Sequence, residues 1–158
     1  MAAEVGSPAP DFTLEGVDRS SGEAVRRTYT LSEHRGRPVV LVFYPGDNTP
    51  VCTRQLNAYT EDIDAFAEVG AQVLAISPQS VESHDEFSCR QGGFAFPLLA
   101  DTDKAVGEAY GILGPLGFYR RSVFVVDAEG VVRYAHRAVA GLTFRSASDL
   151  VAAVKAAL

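Results

Sequence analysis

The sequence is short of the residues that mark several protein classes. Only two of its 158 residues are cysteines, Cys52 and Cys89, and it has no tryptophan. Two thiols in a chain of this length do not make the disulfide scaffold of a small secreted protein. They do not form a C-x-x-C dithiol motif, and no histidine or carboxylate spacing completes a four-ligand zinc site. We therefore expect no metal and no other cofactor.

Basic residues are also scarce. Fourteen lysines and arginines face twenty acidic residues, which gives a net charge of -6. A nucleic-acid-binding protein carries a basic patch, so no nucleic acid partner is expected. No apolar run approaches the roughly 20 residues that span a bilayer, and the N-terminus lacks the basic and apolar regions of a signal peptide. We expect a cytoplasmic protein with no membrane partner.

What is present is the composition of a globular protein, with 47% hydrophobic and 22% charged residues. The length suits a single domain over residues 1–158. Apolar, β-branched segments predict strands over residues 10–14, 26–31, 39–44, 72–77, 96–99, 122–126 and 131–136. Helical periodicity and capping residues predict helices over 50–69, from Ser80 or Ser83 to 91, from Asp101 or Thr102 to 110, and over 146–158. This order predicts an α/β protein with a central mixed sheet, helices on both faces and an N-terminal β-hairpin.

The chain is organised around the stretch from Tyr44 to Thr53. It follows the apolar segment that predicts a buried strand. After it, Leu56 and further apolar residues occur at spacings of three and four, which is the pattern of one face of a helix. Thr49 suits the N-cap and Pro50 the first helical position, which places Cys52 third in the helix. Free amides and the helix dipole favour a negative charge there, so this position favours a thiolate.

Several motifs resemble those of the peroxiredoxins. The pattern Pro45-x-x-x-Thr49-x-x-Cys52, after an apolar strand, is similar to their P-x-x-x-T/S-x-x-C active-site motif. Residues 9–14 resemble their N-terminal A-P-D-F strand, and residues 121–130 resemble their arginine-led strand and hairpin turn. The resemblance covers essentially the whole chain. It implies a thioredoxin-like fold and the reduction of hydrogen peroxide or organic hydroperoxides by a thiolate, without a cofactor.

Two further motifs resemble the bacterioferritin-comigratory-protein, or peroxiredoxin Q, branch. They are Ser83-His84-x-x-Phe87 and the segment Phe96-Pro97-Leu98-Leu99-x-Asp101. The resemblance implies a peroxide substrate and a partner that returns the oxidised protein to the dithiol, either thioredoxin or a similar thiol reductant. We expect a monomer, with a dimer left open.

The family roles fall on four residues of this chain. Cys52 would be the peroxidatic cysteine, with Pro45, Thr49 and Arg121 as its pocket. Thr49 has a hydroxyl that can hold a peroxide oxygen or act as a plain N-cap. Arg120 competes with Arg121, and neighbours on a strand face opposite ways, so only one can point into the site. The resemblance selects Arg121.

Three positions depart from the family pattern, and the first is Val51, where Gly usually precedes the cysteine in peroxiredoxin Q. The residue three after Cys52 is often Glu and is Gln55 here, which can still hydrogen-bond an arginine but brings no charge. Many members of this branch have a second cysteine five residues after the first, and that position is Asn57. A different subset places its resolving cysteine in the next helix, where Cys89 lies. The resemblance therefore implies a Cys52–Cys89 disulfide.

Two alternatives remain open. Cys89 can be an inert thiol in a one-cysteine peroxidase that an external thiol resolves, or oxidation can switch a binding surface in a regulatory or holdase protein.

The remaining polar groups are expected to have structural and not catalytic roles. We expect His34, His84 and His136 at the surface or at caps, and the carboxylates of residues 60–64 on a solvated helix face.

Overall fold

The computed structural model describes residues 3–138 and 143–158. Seven strands form one sheet: β1 (Thr13–Asp18), β2 (Val25–Thr30), β3 (Val39–Phe43), β4 (Gln72–Ser77), β5 (Leu98–Ala100), β6 (Ser122–Val126) and β7 (Val132–Arg137). Five α-helices accompany it: α1 (Pro50–Glu61), α2 (Ile63–Glu68), α3 (Val81–Arg90), α4 (Ala105–Ala109) and α5 (Ala147–Ala156). None of the helices in these two ranges is long and apolar enough to cross a bilayer.

The sheet is mixed, as predicted. Its strand order is β2-β1-β5-β4-β3-β6-β7, with β3, β4 and β5 parallel to one another and the other neighbours antiparallel. All five residues of β3 are buried. Because successive side chains point to opposite faces, Val40 and Val42 enter one core, with Cys52 and α5, while Leu41 and Phe43 enter the other, with Val106 of α4. Strand β3 thus carries the chain into α1 from the centre of the molecule.

The N-terminal hairpin is confirmed, but its first strand is displaced. We predicted a strand over residues 10–14, and β1 instead runs from Thr13 to Asp18. Gly16 pairs with Leu99 of β5, and a Cβ there would lie 2.9 Å from the carbonyl oxygen of Leu98 and 3.1 Å from the ring of Tyr29. The glycine therefore serves close packing inside a strand and does not form a turn.

The predicted helix over residues 50–69 is two helices. Asp62 leaves the helical conformation, with φ -101° and ψ 20°, and its carbonyl accepts a hydrogen bond from the amide of Ala65 as a new turn begins. Aspartate is a weak helix former that favours such boundaries. Helix α2 then buries Phe66, and Gly70 ends the segment with a left-handed φ of +72°, as expected of a helix stop.

The helix caps are partly as predicted. Ser80 is the N-cap of α3 and its hydroxyl accepts from the amide of Ser83, so a start at Ser83 is wrong. Helix α4 begins at Ala105 and not at residue 101 or 102. The carboxylate of Asp101 nevertheless accepts from two amides at the start of α4, so it caps the helix from a distance. Ser146 caps α5 as expected.

Candidate active site

Cys52 lies where the sequence places it, in the first turn of a helix. Thr49 occupies the N-cap with extended backbone angles, Pro50 follows as the first helical residue and Cys52 is the third. The amides of a helix's first turn have no carbonyl partner within the helix, so they stabilise negative charge. The Cys52 side chain is completely buried and is a free thiol. The Cys52 thiol is therefore shielded from water and lies at the positive end of its helix dipole.

Arg121 provides a cation at the sulfur. Its Nη2 donates to the Cys52 Sγ at 3.2 Å, and the residue is only 4% exposed. The pairing of β6 with β3 explains the contact, because Ser122 lies opposite Phe43 and the residue before it reaches the start of α1. Arg120 turns away, and its Nε donates to the carbonyl of Ala138. The structure thus brings Arg121, and not Arg120, to Cys52.

Gln55 holds the other side of the Arg121 guanidinium. The Nη1 of Arg121 donates to Gln55 Oε1 at 2.6 Å, and Gln55 Nε2 donates to the hydroxyl of Tyr59 at 3.2 Å. That hydroxyl donates in turn to the carbonyl of Arg145 at 2.5 Å. Burial raises the pKa of Tyr59 to about 12, so its hydroxyl stays protonated as a donor. The contact orients the guanidinium through a neutral amide.

Thr49 and Pro45 both lie in the loop before α1. The Thr49 hydroxyl makes no capping bond to the helix and donates instead to the carbonyl of Gly46 at 3.1 Å. Thr49 is thus an N-cap by backbone position only, and its carbonyl accepts from the amide of Thr53. Both Thr49 and Pro45 are exposed, whereas Cys52 is completely buried.

Cys89 stands apart from this arrangement. It is exposed near the end of α3, in a surface depression shared with Arg19, Asp85 and Arg90, and it is a free thiol like Cys52. One cysteine is buried in the first turn of α1 and the other faces solvent on α3. No disulfide joins Cys52 to Cys89 in this structure.

His84 is a residue whose setting the sequence analysis missed. It was expected at the surface or at a cap, and it is completely buried. Its Nδ1 lies 2.7 Å from Asp47 Oδ2, and its Nε2 lies 2.9 Å from the carbonyl oxygen of Leu99. A signal was available, because His84 precedes the apolar Phe87 by three residues and so shares its helix face. His34, in contrast, is half-buried, and burial lowers its pKa.

The carboxylates of residues 60–64 are exposed, as expected, but Asp62 lies at the break between α1 and α2 and not on a helix face. Tyr44 differs from these surface groups. It is fully buried and its hydroxyl donates to Asp47 Oδ1 at 2.7 Å. Burial, together with the negative charge of Asp47, raises the pKa of Tyr44 well above its usual value, so the hydroxyl remains a donor.

Comparison with known proteins agrees with the sequence motifs. The sequence pattern of the AhpC/TSA family matches residues 5–135. The chloroplastic peroxiredoxin Q of Oryza sativa subsp. japonica is 40% identical over 131 residues, which cover 82% of this chain and 57% of the relative. Peroxiredoxin-2 of Rattus norvegicus is 36% identical over 138 residues, which cover 83% of this chain and 68% of the relative. The chain thus spans little more than half the length of the rice protein.

Solved structures match the fold as a whole. The reduced 2-Cys peroxiredoxin of Plasmodium vivax superposes with a TM-score of 0.87 at 26% identity, over 96% of this chain and 80% of that one. AhpC of Mycobacterium bovis superposes with a TM-score of 0.88 at 25% identity, over 99% of this chain and 93% of that one. These matches confirm the predicted thioredoxin-like fold. In sequence and in fold, the chain belongs to the AhpC/TSA family, alongside the peroxiredoxins.

Proposed function

We propose that this protein is a thiol peroxidase that reduces hydrogen peroxide and organic hydroperoxides with Cys52 as the attacking thiol. The observation that carries the proposal is the 3.2 Å contact between Arg121 Nη2 and Cys52 Sγ in the first turn of α1. A fixed cation and a helix N-terminus both stabilise the thiolate, which is the nucleophilic form of cysteine. Membership of the AhpC/TSA family supports the same chemistry.

The reaction uses the residues around the sulfur. The Cys52 thiolate attacks one peroxide oxygen, the O–O bond breaks, and the second oxygen takes a proton and leaves as water or alcohol. The sulfur is oxidised to a sulfenic acid. Arg121 and the first-turn amides of α1 stabilise the negative charge on the departing oxygen. Thr49 exchanges its bond to the Gly46 carbonyl for one to the peroxide, and Pro45 keeps water from the sulfur.

Resolution by Cys89 is the second half of the proposal. The Cys89 sulfur attacks the sulfenic sulfur of Cys52, water leaves, and an intramolecular disulfide forms. A disulfide needs the two α-carbons within about 7 Å. Because Cys52 is buried in α1 and Cys89 is exposed on α3, we infer that the first turn of α1 unwinds to bring them together.

Regeneration completes the cycle. Thioredoxin or a similar dithiol reductant gives two electrons to the Cys52–Cys89 disulfide and restores both thiols. A cytoplasmic location fits this cycle, because thiol reductants keep cysteines reduced there. We propose a monomer as the working unit, which sedimentation of the reduced and oxidised forms tests directly.

Mass spectrometry of the intact disulfides tests the assignment. The protein is treated with one equivalent of hydrogen peroxide and digested without reductant. We expect a peptide that links Cys52 to Cys89, and neither Cys52→Ser nor Cys89→Ser should form it. A mixed disulfide or a persistent sulfenic acid at Cys52 in the wild-type protein would establish the one-cysteine alternative instead.

The rate of the first step separates a peroxidase from a redox-switched regulatory or holdase protein. Stopped-flow measurement should give a rate constant for Cys52 with hydrogen peroxide far above that of free cysteine. The control is Cys89→Ser, which should leave this first step intact while it abolishes the disulfide. A rate constant equal to that of free cysteine would refute the peroxidase proposal.

A further inference from the structure

Four side chains form a polar cluster where the loop between β3 and α1, here called the active-site loop, meets α3. The proposed chemistry does not use this cluster. We define the Asp47 cluster as Tyr44, Asp47, Ser83 and His84. Tyr44 donates to Asp47 Oδ1 at 2.7 Å, and both the Ser83 hydroxyl and His84 Nδ1 lie 2.7 Å from Asp47 Oδ2. The side chains of Asp47 and His84 have no solvent exposure. The cluster is therefore an ionisable pair sealed inside the protein.

The hydrogen-bond pattern shows how Asp47 and His84 are joined. The Nε2 of His84 faces the carbonyl of Leu99, which can only accept, so Nε2 carries a proton. Its Nδ1 faces Asp47 Oδ2, whose carboxylate also accepts from two hydroxyl groups. The Tyr44 hydroxyl, the Ser83 hydroxyl and His84 Nδ1 thus surround one carboxyl group. A proton lies between His84 Nδ1 and Asp47 Oδ2, so His84 bridges Asp47 and the Leu99 carbonyl through its two ring nitrogens.

The cluster connects the two parts of the chain that carry the cysteines. Asp47 lies in the loop between β3 and α1, five residues before Cys52. Ser83 and His84 lie in the first turns of α3, and Cys89 is on the same helix. The amide of Asp47 also donates to the side chain of Gln79, in the segment just before α3. Asp47 is thus a buried point at which the active-site loop is attached to α3, besides the exposed contact of Arg90 with Asn48.

We propose that His84 is a positioning residue that acts through Asp47 to hold the Tyr44–Thr53 segment folded and so controls how readily Cys52 leaves its pocket. The consequence for the reaction rests on the proposed function, in which Cys52 must move to reach Cys89. When the segment opens, Asp47 withdraws and leaves His84 Nδ1 buried without this partner. Losing a buried hydrogen bond to a carboxyl group is unfavourable, so the Asp47–His84 contact opposes opening.

This arrangement decides between two fates of the Cys52 sulfenic acid. While the segment is folded, a second peroxide can oxidise the sulfenic acid to a sulfinic acid, with loss of water. Once the segment opens, Cys89 can attack the same sulfur and form the disulfide. A stronger Asp47–His84 pair therefore favours overoxidation, and a weaker pair favours the disulfide.

Two substitutions of His84 separate positioning from simple burial. The amide nitrogen of asparagine can replace Nδ1, so His84→Asn keeps a donor to Asp47. The amide nitrogen of glutamine can replace Nε2, so His84→Gln keeps only a donor to Leu99. Both variants lose the imidazole ring, but only His84→Gln loses the attachment to Asp47.

Hydrogen exchange of the reduced proteins, read on peptides that cover Tyr44–Thr53, is the decisive measurement. Losing a buried hydrogen bond to a charged group should speed exchange in His84→Gln by roughly 10- to 100-fold, and His84→Asn should lose clearly less protection. Equal exchange in the two variants would overturn the proposal, whether both match the wild type or both are equally fast.

The partition of the sulfenic acid gives a second readout. At excess peroxide, His84→Gln should yield more Cys52–Cys89 disulfide and less Cys52 sulfinic acid than His84→Asn, measured by mass spectrometry. If neither His84 variant folds, Ser83→Ala serves instead, because it removes a single hydroxyl donor from Asp47 Oδ2 at a half-buried position. It should shift exchange and partition in the same direction by a smaller amount, and no shift would refute the role of the cluster.

The two readouts distinguish this inference from the proposed function. Hydrogen exchange requires no peroxide chemistry, so a contrast between the two His84 variants can stand even if wild-type Cys52 does not react with peroxide. Conversely, a wild-type protein that forms the disulfide, together with unaltered exchange in folded variants, would reject the positioning role alone.

Discussion

Arg121 is the residue on which the candidate site depends, because it brings a positive charge to a buried thiol. Its guanidinium contacts Cys52 Sγ with one nitrogen and Gln55 with another, so its position is fixed from two sides. A rigid, always charged donor fork is better suited to this task than a flexible lysine. Removing the charge should therefore alter the thiol directly.

The first prediction compares Arg121→Ala with Arg120→Ala. Loss of Arg121 removes a charge-assisted contact to the sulfur, so we expect peroxide reduction to slow by about 10- to 100-fold. The midpoint of the pH profile for alkylation of Cys52 should also move upward. Arg120→Ala is the matched control, since the Arg120 guanidinium donates to the Ala138 carbonyl and not to Cys52. Equal effects of the two substitutions would contradict the assignment.

The second prediction concerns the neutral amide of Gln55. Gln55→Glu keeps an acceptor for Arg121 but adds a negative charge near the thiolate. The midpoint of Cys52 alkylation should rise by up to about one pH unit, because a like charge disfavours the thiolate. Gln55→Met, which removes the acceptor and adds no charge, is the control. A rise in Gln55→Met that equals the rise in Gln55→Glu would show that orientation, and not charge, is responsible.

At the scale of secondary-structure elements, strand pairing and helix boundaries decide what reaches Cys52. Antiparallel pairing of β6 with β3 brings Arg121 to the start of α1, and the break at Asp62 lets α2 pack Phe66 into the same core. The N-terminal hairpin joins the sheet through β1 and β5, where Gly16 allows close approach. The sequence predicted each of these packing contacts only in part.

The third prediction tests the close packing of β1 against β5 at Gly16. In Gly16→Ala, the added Cβ would meet the carbonyl oxygen of Leu98 at 2.9 Å and the Tyr29 ring at 3.1 Å. Overpacking of this kind should lower the free energy of unfolding by about 1–3 kcal/mol, measured by urea denaturation. Thr28→Ala, at an exposed position of β2, should change it by no more than about 0.5 kcal/mol. A neutral Gly16→Ala would mean that the strand can shift without cost.

For the molecule as a whole, the two cores on either side of β3 contain several completely buried tyrosines. Burial raises the pKa of Tyr59 to about 12 and also raises the pKa values of Tyr44 and Tyr110 above the ordinary 10.0. These hydroxyls remain protonated in the folded protein at a pH where the unfolded chain releases its protons. Raising the pH above 10 therefore lowers the stability of the whole protein through these buried tyrosines.

The fourth prediction is a loss of stability at high pH. Below pH 10 both states keep these protons, so the tyrosines add no pH dependence there. As pH rises from 10 toward 12, the unfolded state binds fewer protons, and stability should fall by about 1.4 kcal/mol per pH unit for each such tyrosine. Urea unfolding at pH 8, 10 and 11 measures the decline.

Tyr59→Phe provides the control for this decline. The variant should show a shallower fall above pH 10, because one titrating hydroxyl is gone, even though its stability at pH 8 is lower. An unchanged slope would contradict the assignment of Tyr59. The same curves test the prediction of a single domain over residues 1–158, which requires one cooperative transition.

By itself, the sequence determined the order of strands and helices and the third helical position of Cys52, since these follow from local periodicity, caps and proline chemistry. Its motifs also determined the family. It was wrong about the start of β1, the continuity of the helix after Cys52 and the setting of His84. Local patterns report which residues are apolar or turn-forming, and they do not report what packs against a glycine or a histidine.

Only the tertiary structure decided the contacts that give the site its character. Arg121 and Cys52 lie 69 residues apart in the chain, and they meet because β6 pairs with β3. The Asp47–His84 pair and the exposure of Cys89 depend equally on where α3 packs. Contacts of this kind depend on strand order and helix packing, which arise from burial over the whole chain and leave no trace at short sequence range.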